Sequence, residues 1–122
     1  MKGTPITEPL YNYIIDNFVH EDDLLRGLPA DAEARGIPQI HISPEQGKFL
    51  QLLMRMINAK RVLEVGSLFG YSAIWMARAL PADGKLVTVE LDPTHAAATR
   101  DNAARAGQVV IEVGMADEEE AV

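Results

Sequence analysis

The sequence predicts an α/β fold in which N-terminal helices lead into a βαβαβ unit with a parallel sheet. Three observations predict it. Two short apolar runs, Arg61–Val65 and Leu86–Glu90, are separated by a helix-length segment, and a third, Gln108–Val113, follows a second such segment. A glycine-bearing turn, Gly66 to Gly70, joins the first run to its helix. Cap-plus-proline signals at Thr7-Glu8-Pro9, Ser43-Pro44 and Asp92-Pro93 mark helix starts. Strands joined through helices pair in parallel with right-handed crossovers.

The elements follow in order. Thr7 caps a helix whose apolar stripe is Leu10, Tyr11, Ile14, Ile15 and Phe18. The stretch from Glu21 to Gly36 is less regular. Leu24, Leu25 and Leu28 suggest a short turn, and Pro29–Ala34 a separate short helix ended by Gly36. Ser43, Pro44 and Gln46 form a helix start with a capping box. Phe49, Leu50, Leu53, Met56 and Ile57 then line one face, and Phe49, Met54 and Met56 are assigned to the core. Strand one has almost no polar alternation, as expected of a strand covered on both faces. Its helix runs from about Tyr71 to Leu80, with Trp75 and Met76 as packing residues, and Pro81-Ala-Asp-Gly84 is a turn. Asp92 starts an alanine-rich helix that ends at Gly107. The whole reads as one domain: a helical region over 1–60, a βαβαβ unit over 61–116 and an acidic tail over 117–122.

Composition narrows the function. The chain has 122 residues, a formal net charge of −7 and no cysteine. The acidic balance argues against a nucleic-acid surface, which needs a basic face. The missing cysteines remove disulfides and thiolate metal sites. No run approaches the ~20 apolar residues of a membrane span, and the N-terminus lacks the layout of a secretion signal. The expectation is a cytoplasmic protein that binds neither membrane nor nucleic acid.

The chemistry concentrates at the two strand ends. Gly66 and Gly70 let the backbone turn tightly and approach a ligand closely. The amides near Tyr71 and Ser72, and the Ser72 hydroxyl, can hold a carboxylate. Glu90 ends the second strand 24 residues after Gly66, close to the ~20-residue spacing at which an acid grips ribose hydroxyls. Glu64 lies two residues before the first glycine, where it would repel the diphosphate of NAD. It suits instead a cofactor with a cationic centre and an amine, such as S-adenosylmethionine, with Glu64 accepting from the amine directly or through water. The glycines alone are consistent with a plain strand–turn–helix joint. It is the set Glu64, Gly66, Gly70 and Glu90 that points to a cofactor. His20, His41 and His95 lack metal-ligand spacing. His41 is the best placed of them, beside a loop expected to line the site.

Separated blocks, Ser43-Pro-Glu-Gln-Gly-Lys-Phe-Leu50, Ala59 to Gly66, Gly70 to Ala77, Leu80-Pro-Ala-Asp-Gly-Lys85 and Glu90-Leu-Asp-Pro93, occur in an order that resembles the caffeoyl-CoA and catechol type of S-adenosylmethionine-dependent O-methyltransferase. The resemblance runs from about Leu10 to Ala116. It implies a class I methyltransferase (Rossmann-like) fold, frequent dimerisation, and methyl transfer to a catechol-like hydroxyl with a divalent cation (Mg). Carried over by motif, Glu64, Gly66, Ser67 and Ser72 match cofactor contacts, and Glu90 matches the ribose-binding acid. Ile42 matches a backbone contact near the methionine end. Gly114-Met-Ala116 matches a Gly-x-Ala that would set Ala116 by the adenine.

The family's metal ligands lie on later strands, and none has a counterpart here. The acidic run Asp117 to Glu120 reads as a solvated tail rather than a metal cluster. The chain is therefore expected to be the cofactor-binding half of the enzyme, inactive alone. A non-catalytic binding or assembly module is the rival reading, and an NAD oxidoreductase is disfavoured by Glu64. Lacking further strands, strand one is expected to expose a pairing edge, to be covered by a second copy, a partner fragment or local rearrangement.

Overall fold

The computed structural model describes residues 3–108 and 110–115. Three helices come first: α1 (Glu8–Phe18), α2 (Asp23–Ala34) and α3 (Pro44–Met56). They are followed by β1 (Arg61–Val65), α4 (Tyr71–Ala77), β2 (Lys85–Glu90), α5 (Pro93–Arg105) and β3 (Ile111–Met115). The strands form one parallel sheet in the order β1-β2-β3. The expected α/β class, element order and strand direction are all observed. The acidic tail and Ala116 lie outside the described residues.

Caps set the helix starts as the sequence predicts at Thr7, Ser43 and Asp92. The Thr7 hydroxyl accepts from Leu10 N, and Asp92 from Thr94 N and His95 N. Asp22, a cap the sequence reading did not name, accepts from Leu25 N. Gln46 Oε1 accepts from Ser43 N at 3.0 Å. The turn plus short helix expected over residues 24–34 is instead one helix with Pro29 inside it. Proline removes a helical donor there, usually at a cost of about 3 kcal/mol. Burial outweighs it, because Leu25, Leu28 and Ala32 share the core face of α2. Ion pairs Arg105–Asp31 (2.8 Å) and Arg35–Asp101 (3.0 Å) lay α2 across α5, and Arg78–Asp22 (2.6 Å) ties its start to the end of α4.

The core fills one side of the sheet. Phe69, Ile74, Leu25, Leu28 and Leu86 are fully buried there, each worth about 1.5–3 kcal/mol. Trp75 and Met76 are buried as expected. α3 packs on α4 at a close approach: a Cβ on Gly47 would meet the Trp75 ring at 2.4 Å.

Three expectations fail together, and for one reason. Strand one is not covered on both faces. Val62 packs inward against Leu86 and Met76, whereas Leu63 is 68% and Val65 81% exposed. On α3 the inward positions are Gly47 and Gln51, with Leu50 and Met54 beside them. The supposed core residues Phe49 (60%) and Met56 (77%) face out, and so does Ile57 (71%) of the same stripe. Phe18 on α1 is exposed as well. Apolar periodicity reports that a face wants burial, not that this chain supplies the cover. Two boundaries also move. β3 starts at Ile111 rather than Gln108, whose backbone N–H instead bonds Ala103 O at the end of α5. α4 stops at Ala77 rather than Leu80.

Candidate functional site

The two strand ends and the α2–α3 connector enclose a cleft of about 410 Å³. That lies within the ~300–1,000 Å³ range of small-molecule sites. Of the residues expected from sequence, Ile42, Gly66, Ser67, Tyr71, Ser72 and Glu90 line it. Glu64 and Gly70 do not, and Ala116 lies outside the described residues.

The turn after β1 is built by backbone geometry and clamped from α5. Gly66 (φ +88°) and Gly70 (φ +89°) take left-handed conformations that favour glycine. Gly66 N donates to Val89 O at 2.8 Å, so the turn starts from the β1–β2 pairing. A Cβ on Gly70 would press on Thr99 Cγ2 at 3.2 Å. Leu68 is also left-handed (φ +56°), a conformation that costs a branched residue roughly 1–2 kcal/mol. Buried polar groups hold it. Thr99 Oγ1 bonds Ser67 Oγ at 2.9 Å, and Asn102 Nδ2 donates to Phe69 O at 2.8 Å. Sequence reasoning missed this clamp. Its signal is two polar residues, Thr99 and Asn102, on the alanine-lined buried face of α5.

Glu90 closes the cleft from β2. Its carboxylate accepts from Leu68 N (2.8 Å), Leu91 N (3.0 Å) and Asp92 N (3.2 Å). Burial raises its pKa, but these three N–H bonds, with His95 nearby, outweigh that and hold it below the usual carboxylate value. Glu90 therefore faces the cleft as an anion with acceptor capacity left.

Glu64 behaves differently. Its oxygens accept from Ser72 Oγ (2.6 Å) and Thr88 Oγ1 (2.7 Å), beneath the wall of the cleft. Burial pushes its pKa up against those two bonds, and the Glu90 charge adds to the rise. Glu64 thereby sets the Ser72 hydroxyl, which lines the cleft.

The far wall is aromatic. His41 sits edge-on to Phe69 (5.0 Å) and Tyr71 (5.3 Å), and burial lowers its pKa. Tyr71 OH donates to Glu21 Oε2 at 2.6 Å, which pins the segment between α1 and α2 to the site. His95 joins the cleft because the Asp92 cap places it one turn into α5, 3.9 Å from Glu90. Among the described residues no lysine or arginine lines the cleft. It has an anion for sugar hydroxyls and apolar and aromatic walls. That set fits a sulfonium nucleoside. Among the described residues no three metal-ligating side chains converge.

A family model described as O-methyltransferase matches residues 16–121. The chain belongs to the O-methyltransferase family. It is 50% identical over 114 residues to a catechol O-methyltransferase of Niastella koreensis, covering 91% of this chain and 52% of that one. An O-methyltransferase from Bacillus cereus, solved in complex with SAH, superposes with a TM-score of 0.82 at 39% identity. That match covers 85% of this chain and 48% of the other. A Streptomyces achromogenes O-methyltransferase involved in tomaymycin synthesis, solved with SAM, gives 0.80 at 38% identity over 85% and 47%. The chain thus spans about half the length of the relatives it matches, and the O-methyltransferase fold accounts for its helices and parallel strands. Among the described residues no helix is long and apolar enough to cross a membrane.

Proposed function

We propose that this chain forms the S-adenosylmethionine-binding half of an O-methyltransferase that methylates a catechol-like hydroxyl, and that it does not turn over alone. The observation that carries the reading is Glu90, an anion held by three backbone N–H groups at the mouth of an apolar and aromatic cleft. Solved relatives in complex with SAM and SAH support the cofactor, and the name of the Niastella relative supports the acceptor.

S-adenosylmethionine supplies an electrophilic methyl group on a sulfonium. The residues here bind and orient it. Glu90 accepts from the ribose hydroxyls. Ser72, set by Glu64, takes the methionine carboxylate, and the Ile42 backbone borders the methionine end. The Phe69, Tyr71 and His41 wall excludes water. Ala116 stands by the adenine on resemblance alone. The divalent cation that the resemblance implies has no ligand set among the described residues. A cytoplasmic setting fits the cysteine-free composition. A polypeptide against the free edge of β1, from a second copy or a partner, belongs to the same reading.

The exposed apolar faces of α3 and the sheet favour one rival, a non-catalytic assembly module. Calorimetric titration separates the two. The proposed function expects micromolar binding of S-adenosylhomocysteine and none of NAD. A stable assembly that takes up neither would leave only the assembly module.

A further inference from the structure

Hydrogen atoms are scarce beneath the cleft. Ser72 lines it, and the Ser72 Oγ stands 2.6 Å from Glu64 Oε2. Thr88 Oγ1 stands 2.7 Å from the other carboxylate oxygen, Oε1. An ionised carboxylate only accepts, so each hydroxyl must donate its one hydrogen to Glu64. Both separations suit a charge-assisted bond between a hydroxyl and a carboxylate. Ser72 Oγ then offers the cleft lone pairs and no hydrogen. Glu64 is not free to turn aside, because Thr88 is fully buried on β2 in register with it. The groups that act on Glu64 are Ser72 from α4, and Thr88 and Glu90 from β2. The charge among them, on Glu90, is negative as well.

The proposed function, on which this inference rests, places the methionine carboxylate at Ser72. Two carboxylates then meet one hydroxyl that has a single hydrogen. One of them goes without its donor, and away from bulk water an unmet acceptor is costly. One added proton resolves the conflict. We infer that cofactor binding loads a proton onto Glu64, and that Glu64 and Ser72 form a two-member relay that senses the ligand's carboxylate. The proton comes from solvent and forms an O–H bond at Glu64 Oε2. That O–H donates to Ser72 Oγ, and the Ser72 hydrogen turns to the ligand carboxylate. Thr88 goes on donating to Oε1, so no polar group is stranded. The proton also cancels the negative charge that the ligand carboxylate brings near Glu64 and Glu90. Burial and the Glu90 charge already push the Glu64 pKa up, so the free chain stands part of the way to this state. Glu90 does not compete for the proton, because its three backbone N–H bonds hold it low. Binding that takes up a proton weakens as pH rises.

The test titrates the full chain with S-adenosylhomocysteine by calorimetry, in buffers of different ionisation enthalpy, from about pH 5 to about pH 8. Expected is uptake that approaches about one proton per ligand, with an affinity that falls up to ~10-fold per pH unit where uptake is greatest. Glu64→Gln keeps an acceptor for Thr88 and gives Ser72 a donor without any added proton. It should bind S-adenosylhomocysteine with no uptake and with an affinity flat in pH. Methylthioadenosine, which has the nucleoside and the sulfur but no carboxylate, should bind the unaltered chain without uptake. Uptake that persists in Glu64→Gln would place the proton on a cleft histidine, His41 or His95, and overturn the inference. Tight binding of S-adenosylhomocysteine with no uptake would overturn it too, since Ser72 would then be accepting from the ligand amine, and the cofactor reading would survive. A folded chain that binds no S-adenosylhomocysteine at any pH would remove the proposed function, and this inference with it.

Discussion

The ends of β1 and β2 carry one acid each, and the two acids do opposite things. Glu90 gathers three backbone N–H groups and is held below its ordinary value, as an anion facing the cleft. Glu64 has two hydroxyl partners, lies beneath the cleft wall, and is pushed up by burial. In the proposed function one acid meets the ligand, and the other fixes the hydroxyl that does. Residue type and spacing look alike at the two positions. What separates them is where the following backbone goes: after β2 it curls its amides around the carboxylate, and after β1 it turns away through Gly66.

Substitutions at the two ends should break the site very unequally. Glu90→Ala strands the Leu68, Leu91 and Asp92 amides and removes the proposed ribose acceptor. We expect S-adenosylhomocysteine affinity to fall ~100-fold by calorimetry, since bonds to a charged group are worth about 1.5–3 kcal/mol each. Gly70→Ala forces a side chain into the left-handed region against Thr99, and should cost about 1–2 kcal/mol in denaturant unfolding. Glu64→Gln keeps an acceptor and both hydroxyl neighbours, so stability should change by less than about 1 kcal/mol and affinity only a few-fold. A Glu64→Gln variant as damaged as Glu90→Ala would erase the distinction between the two ends.

The smallest effect is in pH dependence, and its sign differs between the acids. Glu90 is depressed, so its stabilisation is present above its ordinary 4.5 and lost as pH falls through its lowered value. Glu64 is raised, so its contribution is present below 4.5 and lost as pH rises through its raised value. Unfolding free energies measured across this range should therefore lose their acid-side decline in Glu90→Gln and their higher-pH decline in Glu64→Gln. Identical profiles for the two variants would contradict the assignment.

Much of this was legible in the residues because the signals are local. Caps at Thr7, Ser43 and Asp92, the Gly66–Gly70 turn and the acid at Glu90 each need only neighbours within a few positions. What was not legible depends on distant partners. Thr99 and Asn102 become a clamp only once α5 lies over the turn. Glu64 gains its second hydroxyl partner only once Thr88 pairs beside it. Pro29 sits inside a helix because Leu25, Leu28 and Ala32 share a buried face. Phe49, Met56, Ile57, Leu63 and Val65 carry correct apolar patterning but no partner to satisfy it, and pattern alone cannot say which polypeptide provides one.

A crystal structure of the chain with S-adenosylhomocysteine tests the central claim most directly. The account predicts the nucleoside in the cleft, its ribose hydroxyls within hydrogen-bond distance of Glu90 and its carboxylate at Ser72. A nucleoside bound elsewhere, with Glu90 still engaged only by its three amides, would contradict it.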